Sequence, residues 1–211
     1  MRILGTTGRM NQLLRIEKAV QRAERKVAPK GLARNFSKGD WLCFSTAARR
    51  KAEYAATPAK LFLKTIEDLD LQPENHFGDL GSGLGLTCFA AAMHFARVTG
   101  FELDQRLLTE AETIRQAFEI ENVAFRHEDF LYTDLAPFQV LFLFQPFSQD
   151  FPDLMRDKLA GTTPGTVIIS HIFRFTEPII FGPDDFRVIN PGWEPHSTDP
   201  YLIDFYAHER K

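Results

Sequence analysis

A strand-like run that ends on a carboxylate and turns at once through three alternate glycines constrains this chain most. The run is Phe77-Gly78-Asp79-Leu80-Gly81-Ser82-Gly83-Leu84-Gly85, and residues 86–96 continue with helical character. Glycine permits left-handed backbone and lets another molecule come within contact of the chain. The helix that follows leaves its first N–H groups free to meet an anion. A strand, a glycine turn and a helix in that order belong to an α/β architecture.

The rest of the chain repeats the alternation. Strand-like runs occur at 76–80, 98–103, 123–127, 140–145 and 166–171, with helical stretches at 86–96, 105–118 and 150–159 between them. Leu107, Ala111, Ile114 and Phe118 recur at spacings of 4, 3 and 4 on the second of these helices. Strands alternating with helices imply right-handed crossovers and a parallel sheet covered on both faces. After Phe173 the pattern changes: 186–190 and 201–208 read as strands joined by a Pro/Gly-rich link with no room for a helix. They are expected to form an antiparallel hairpin at the end of a mostly parallel sheet.

Ahead of this unit, Leu13, Ile16, Val20, Ala23 and Val27 form a narrow apolar stripe on a helix that ends before Pro29. The stripe is heptad-like and suited to pairing helices between subunits. A second helical stretch is expected over 40–53. Thr57 is placed to cap a further helix, with Pro58 at its first position and Leu61, Phe62, Ile66 and Leu69 on its apolar side. We therefore divide the chain into a basic helical N-terminal extension, 1–53, and a main domain, 54–211.

Charge supports that division. Residues 1–51 hold 13 Lys/Arg against Glu17, Glu24 and Asp40, a net of +10, whereas the other 160 residues hold 12 basic and 25 acidic groups. Such asymmetry suits a nucleic-acid arm, a targeting segment or a solvated helix docked on an acidic body. Aromatic residues interleave sparsely with the basic ones, only Phe36, Trp41 and Phe44, which disfavours RNA binding. Two cysteines, Cys43 and Cys88, make neither a disulfide framework nor a four-thiolate metal site. The six histidines show no zinc spacing, so no metal is expected. No apolar run is long enough to span a bilayer, and a reducing, cytoplasmic location is the expectation.

The glycine spacing separates the possible ligands. A dinucleotide fingerprint needs glycines at positions one, three and six, but the sixth position is Leu86 counted from Gly81 and Cys88 counted from Gly83. A phosphate-binding P-loop ends in Gly-Lys-Ser/Thr, and no lysine is near. The pattern that fits is acidic-x-Gly-x-Gly-x-Gly, Asp79 to Gly85. It resembles motif I of the class I, Rossmann-like, S-adenosylmethionine-dependent methyltransferases. Glu102, at the end of the next strand and 21 residues after Gly81, suits a ribose diol. Asp129-Phe130 after the third strand is similar to the pair that in this family receives the adenine amino group and packs on the ring. Tyr54-x-x-Thr57 resembles an element of the non-SET protein lysine methyltransferases, including the group acting on the ring subunit of ATP synthase. The likeness runs over about residues 54–145.

That resemblance implies S-adenosylmethionine as cofactor, held by Tyr54, Thr57, Asp79, Gly81, Ser82, Gly83, Glu102, Leu103, Asp129 and Phe130. It implies methyl transfer by in-line displacement to an amine, with a protein lysine as the first candidate acceptor. A small-molecule N- or O-acceptor is the alternative, and a non-catalytic protein using the basic segment to hold a protein or RNA partner is a third. The acceptor site is expected after the fourth strand at Gln145-Pro146-Phe147, which partly matches the Asn/Asp-Pro-Pro-Tyr/Phe motif of amino-group methyltransferases but carries Gln and one proline. A sulfonium methyl is already activated, so no dedicated general base is required and no catalytic residue is assigned. His171, ending the fifth strand, and Trp193 in the late loop are further candidates to touch substrate.

Overall fold

The computed structural model describes residues 6–27, 57, 59–144, 151–173, 180–189 and 203–211. Seven strands form one sheet in the order β3-β2-β1-β4-β5-β7-β6. They are β1 His76–Leu80, β2 Arg97–Phe101, β3 Val123–Arg126, β4 Val140–Phe144, β5 Val167–Phe173, β6 Phe186–Val188 and β7 Ile203–Arg210. The first five are parallel to one another, and β7 runs antiparallel to both β5 and β6. The expected mostly parallel sheet with an antiparallel C-terminal hairpin is thus present, and the structure adds the order of the hairpin's strands. Its second strand, β7, inserts beside β5 and leaves β6 at the edge.

Helices are α1 Thr6–Val27, α2 Ala59–Asp68, α3 Leu86–Ala91, α4 Gln105–Ala117 and α5 Phe151–Ala160. The expected helix over 86–96 stops early. Met93 N–H bonds Ala90 O and His94 N–H bonds Ala91 O, i→i−3 bonds that tighten the chain before β2. The helix expected over 40–53 and the loop with Trp193 lie outside the described residues. On α4 the buried side chains are Leu108, Ala111 and Ile114, with Leu107 and Phe118 only partly buried.

Alternation along the strands sends side chains to two cores. One face carries Phe77, Val98, Val123, Val140 and Phe142 and packs against residues of α1, α2, α3 and α4. Phe62 of α2 is fully enclosed there, with ring centroids 5.7 Å from Phe77 and 5.2 Å from Phe142, both edge-on. The other face carries Leu80, Phe101, Leu141, Leu143 and Ile168, covered by Met155 and Leu159 of α5 and by Phe138. Because both faces of the central strands are covered, β4 reads as an unbroken apolar run instead of alternating. The link from β3 to β4 contains no α-helix, only a three-residue 3-10 turn at Phe130–Tyr132.

The N-terminal stripe has a use within the chain. Leu13, Ile16, Val20 and Ala23 are buried in the first core, and α1 lies on α3 and α4. The stripe is therefore not free to pair helices between subunits. The polar side of α1 meets the acidic body lightly. Lys26 pairs with Glu110, and Arg15 stands 5.7 Å from the Phe118 ring centroid. Lys26 is largely exposed, so that ion pair adds little; the apolar stripe holds the helix.

Ile16→Ala is expected to lower unfolding free energy by about 2–5 kcal/mol, the cost of truncating a buried aliphatic side chain. Urea denaturation measures this. A loss below about 0.5 kcal/mol would instead describe a surface residue on a dispensable arm.

Candidate active site

The order of strands reverses between β1 and β4, where helices pass to opposite faces of the sheet. Crevices at the carboxyl ends of strands beside such a point are where open α/β sheets bind ligands. The glycine turn sits there because it is the exit of β1. Gly81, Gly83 and Gly85 have φ of 97°, 55° and 81°, left-handed values that side chains resist. Gly81 and Ser82 both donate their N–H groups to Phe101 O, at 3.0 and 2.8 Å, which straps the turn to the end of β2. Gly85 N–H closes onto Ser82 O at 2.8 Å and α3 begins.

The glycines differ in what they make room for. A Cβ at Gly85 would stand 2.5 Å from the Phe125 ring, whereas one at Gly81 would meet nothing within 4 Å. Gly85 is needed for packing and Gly81 faces open space. Gly100 on β2 is a third requirement: a Cβ there would come within 2.8 Å of both Cys88 Sγ and Ser82 Cβ. A glycine inside a strand is the sequence sign of such close approach, and sequence reasoning did not use it.

Glu102 is half-buried just past β2 and turns back over the loop. Its Oε2 accepts from Gly83 N at 2.9 Å, and its Oε1 accepts from Leu103 N and Asp104 N at 2.7 and 2.8 Å. It is thus brought to the glycine turn, already bonded to three backbone groups. Asp104 caps α4, accepting from Arg106 N at 2.9 Å. Leu103 beside Glu102 is 41% exposed, available to lie against a flat ligand.

Asp79 lies near the carboxyl end of β1, just ahead of the turn. It is buried beneath the turn, and its partner is the Cys88 thiol, which donates to Oδ2 at 3.3 Å. Burial, then repulsion from Glu102, raises its pKa to about 7, against a lowering by the Cys88 bond. Cys88 was not identified as part of the site. Its nine-residue spacing from Asp79 signals nothing until the turn folds α3 back over β1. Burial and the adjacent Asp79 push its thiol pKa well up.

Asp129 caps the 3-10 turn, its Oδ1 accepting from Leu131 N at 3.1 Å. Phe130 is buried among the second core's side chains with Leu135 and Phe138. Thr57 is buried ahead of α2. His171 is buried at the carboxyl end of β5, its ring centroid 4.9 Å from that of half-buried Phe144. Tyr54, Gln145, Pro146 and Phe147 lie outside the described residues. Among the described residues, no group of His, Cys, Asp and Glu could hold a metal ion, and no helix is long and apolar enough to cross a membrane.

Known structures share this architecture. An RNA methyltransferase from Salinibacter ruber, in complex with S-adenosyl-L-homocysteine, superposes with TM-score 0.55 at 24% identity, over 74% of this chain and 94% of that one. An rRNA methylase from Streptococcus thermophilus matches with TM-score 0.55 at 12% identity, over 75% of this chain and 98% of that one. A precorrin-6y C5,15-methyltransferase from Geobacter metallireducens matches with TM-score 0.52 at 15% identity, over 77% and 95%. The fold is that of the class I methyltransferases. No curated protein matches the chain. The family model of the ANTKMT methyltransferase domain matches residues 79–178, from the motif carboxylate through β5. With the fold, this makes the chain an S-adenosylmethionine-dependent methyltransferase.

The raised pKa of Asp79 has a defined consequence for stability. The unfolded carboxyl ionises near the ordinary aspartate value of 3.8 and the folded one near 7. Its contribution is fully present below pH 4 and is lost as pH rises to 7. Asp79→Asn, neutral throughout, is expected to become progressively more stable than wild type from pH 4 to 7, with a constant gap above. Chemical denaturation at stepped pH measures this, and a gap independent of pH would show an ordinary carboxylate.

Proposed function

We propose that this methyltransferase acts on an amine, with a protein lysine as the acceptor, and holds its cofactor across the glycine turn. The observation that carries the cofactor reading is the turn itself: open space over Gly81, and a buried Ser82 hydroxyl without a hydrogen-bond partner among the described residues. A ligand carrying a carboxylate satisfies both, since it accepts from hydroxyl and backbone N–H groups. These residues therefore fit S-adenosylmethionine.

Within that reading, Gly81, Ser82 and Gly83 cradle the amino-acid end. Asp79 answers its ammonium through the local field, since a nearby cation draws a buried carboxyl back to its ionised form. Glu102 Oε2 spends one acceptor site on Gly83 N–H, which leaves a second for a ribose hydroxyl. Leu103 covers one side of the adenine, and Asp129, whose Oδ2 has no hydrogen-bond partner among the described residues, receives the amino group. Phe130 supports this edge from beneath as part of the core. Tyr54 and Thr57 close the methionine side.

When bound, the cofactor supplies an activated sulfonium methyl. The chain's task is to align the acceptor and exclude water. Phe144 and His171 form an apolar-aromatic wall at the carboxyl ends of β4 and β5, beside the Gln145-Pro146-Phe147 segment that we assign to the acceptor. Burial against such a wall lowers an ammonium pKa and favours the neutral, attacking amine. Gln145 offers a side-chain carbonyl to orient it. The resemblance of Tyr54-x-x-Thr57, and the ANTKMT domain match, support lysine over a small molecule. The buried, free Cys88 accords with a reducing, cytoplasmic setting.

Calorimetric titration is expected to show S-adenosylmethionine and S-adenosylhomocysteine binding and NAD not binding. Glu102→Ala should weaken both by about tenfold or more, the worth of hydrogen bonds to a charged group. Gly81→Ala should fold with a loss of about 1–2 kcal/mol for its left-handed backbone yet bind neither. Radiolabelled methyl should then appear as methyl-lysine in hydrolysed acceptor protein. Label only in small molecules would reassign the acceptor, and unchanged affinity in both variants would remove the cofactor reading.

A further inference from the structure

The β3-to-β4 link, residues 127–139, leaves part of the second sheet face without helical cover. Parallel sheets are ordinarily helix-covered on both faces. Here Ala124 and Arg126 of β3 are exposed, and between sheet and link lies a groove of about 710 Å³, a volume typical of small-molecule sites. His76, Arg97 and Arg126 form its sheet side, and Glu128, Tyr132 and Asp134 its rim.

The charges in the groove are segregated. The three lining carboxylates accept within their own link: Glu128 Oε2 from Thr133 Oγ1 at 3.2 Å, Asp129 Oδ1 from Leu131 N at 3.1 Å and Asp134 Oδ1 from Ala136 N at 3.0 Å. Among the described residues neither Arg97 nor Arg126 forms an ion pair with a carboxylate. Arg97 Nη2 donates to His76 Nδ1 at 3.2 Å, and Arg126 stands 5.9 Å from the Phe101 ring centroid. His76 is 8% exposed, and its Nε2 lies 2.9 Å from Thr99 Oγ1. With Nδ1 accepting from Arg97, the proton sits on Nε2 and the ring is neutral. Burial first, then the charges of Arg97 and Arg126, lower the His76 pKa to about 4. Two guanidinium groups without an ion pair among the described residues thus act on one buried, neutral imidazole, in a groove that Glu128, Asp129 and Asp134 also line. Beside them Tyr132 is 79% exposed, an aromatic face with nothing stacked on it among the described residues.

We propose that this groove is a second ligand site, for a nucleoside phosphate. The phosphate lies at Arg97 and Arg126, whose planar forks suit phosphate oxygens. The base stacks on Tyr132, and its amino groups meet the acidic rim. The site is separate from the glycine turn: His76 and Arg97 begin their strands, whereas the turn and Glu102 lie at the opposite, carboxyl ends. Asp129 borders both, and Arg126, which ends β3 and lines the groove, accepts from Glu102 N–H through its carbonyl at 3.1 Å. A free nucleotide and the phosphorylated end of an RNA strand share this chemistry.

Titration of the full chain with ADP, in metal-free buffer and saturating S-adenosylhomocysteine, tests the site. One ADP is expected to bind, with inorganic pyrophosphate binding more weakly. Arg97→Gln and Arg126→Gln should each weaken ADP by about tenfold or more, and Arg187→Gln, on the far edge strand β6, should leave it unchanged. Tyr132→Ala should weaken ADP and spare pyrophosphate. The Arg126 side chain makes no hydrogen bond among the described residues, so its variant decides the matter if loss of the His76 contact unfolds Arg97→Gln. A 5′-phosphorylated RNA octamer binding tenfold tighter than ADP would identify nucleic acid as the source, and equal affinity a free nucleotide. No ADP binding at millimolar concentration, equal weakening in Arg187→Gln, or displacement of ADP by S-adenosylhomocysteine would each overturn the proposal.

Discussion

Two N–H groups, those of Gly81 and Ser82, share one acceptor, the carbonyl of Phe101. That strap joins the exit of β1 to the exit of β2 and holds a turn whose three left-handed glycines would otherwise sample many shapes. Glu102, the next residue after Phe101, completes the clamp by holding Gly83 N–H. The turn therefore cannot be built unless β1 and β2 pair in register, Leu80 opposite Phe101. That register rests on the apolar faces of both strands. The site and the core are one cooperative object, and damage to either is felt in both.

The same dependence accounts for the tight residues beneath the turn. Gly100 lets Ser82 and Cys88 pass over β2, and Gly85 lets Phe125 of β3 press against the start of α3. Asp79 is enclosed as a result, with a thiol as its one side-chain partner among the described residues, and its charge becomes sensitive to neutral pH. A buried carboxylate without a cation is costly in a resting protein. It becomes favourable when a cation arrives, which couples ligand binding to proton release.

The two faces of the sheet are built unequally. Four helices cover one, including the N-terminal helix that joins the core through Leu13, Ile16, Val20 and Ala23. The other relies on α5 and the Phe138-bearing link, so polar groups can line its uncovered corner. The basic residues of α1, Arg9, Arg15, Lys18, Arg22, Arg25 and Lys26, do not by themselves define an arm, because they sit on the exposed side of a helix whose inner side is core. Net charge reports on the surface; packing reports on the stripe.

Local chemistry was sufficient for much of this molecule. Strand positions, the glycine turn, Glu102 beyond β2 and the change to antiparallel strands after Phe173 were legible because periodicity, glycine spacing and missing helix length act over a few residues. The early stop of α3, the insertion of β7 beside β5, the burial of Phe130 and the Asp79–Cys88 contact were not. Each depends on which surfaces meet across the sheet, and residues distant in sequence, such as Gly100 and Ser82 or His76 and Thr99, carry no mark of one another before the chain folds. The sequence alone determined an α/β chain with a ligand turn at the end of its first strand. Only the tertiary structure decided which of its charges are buried, which are paired and which still face a groove, because desolvation and pairing are properties of neighbours, not of residues.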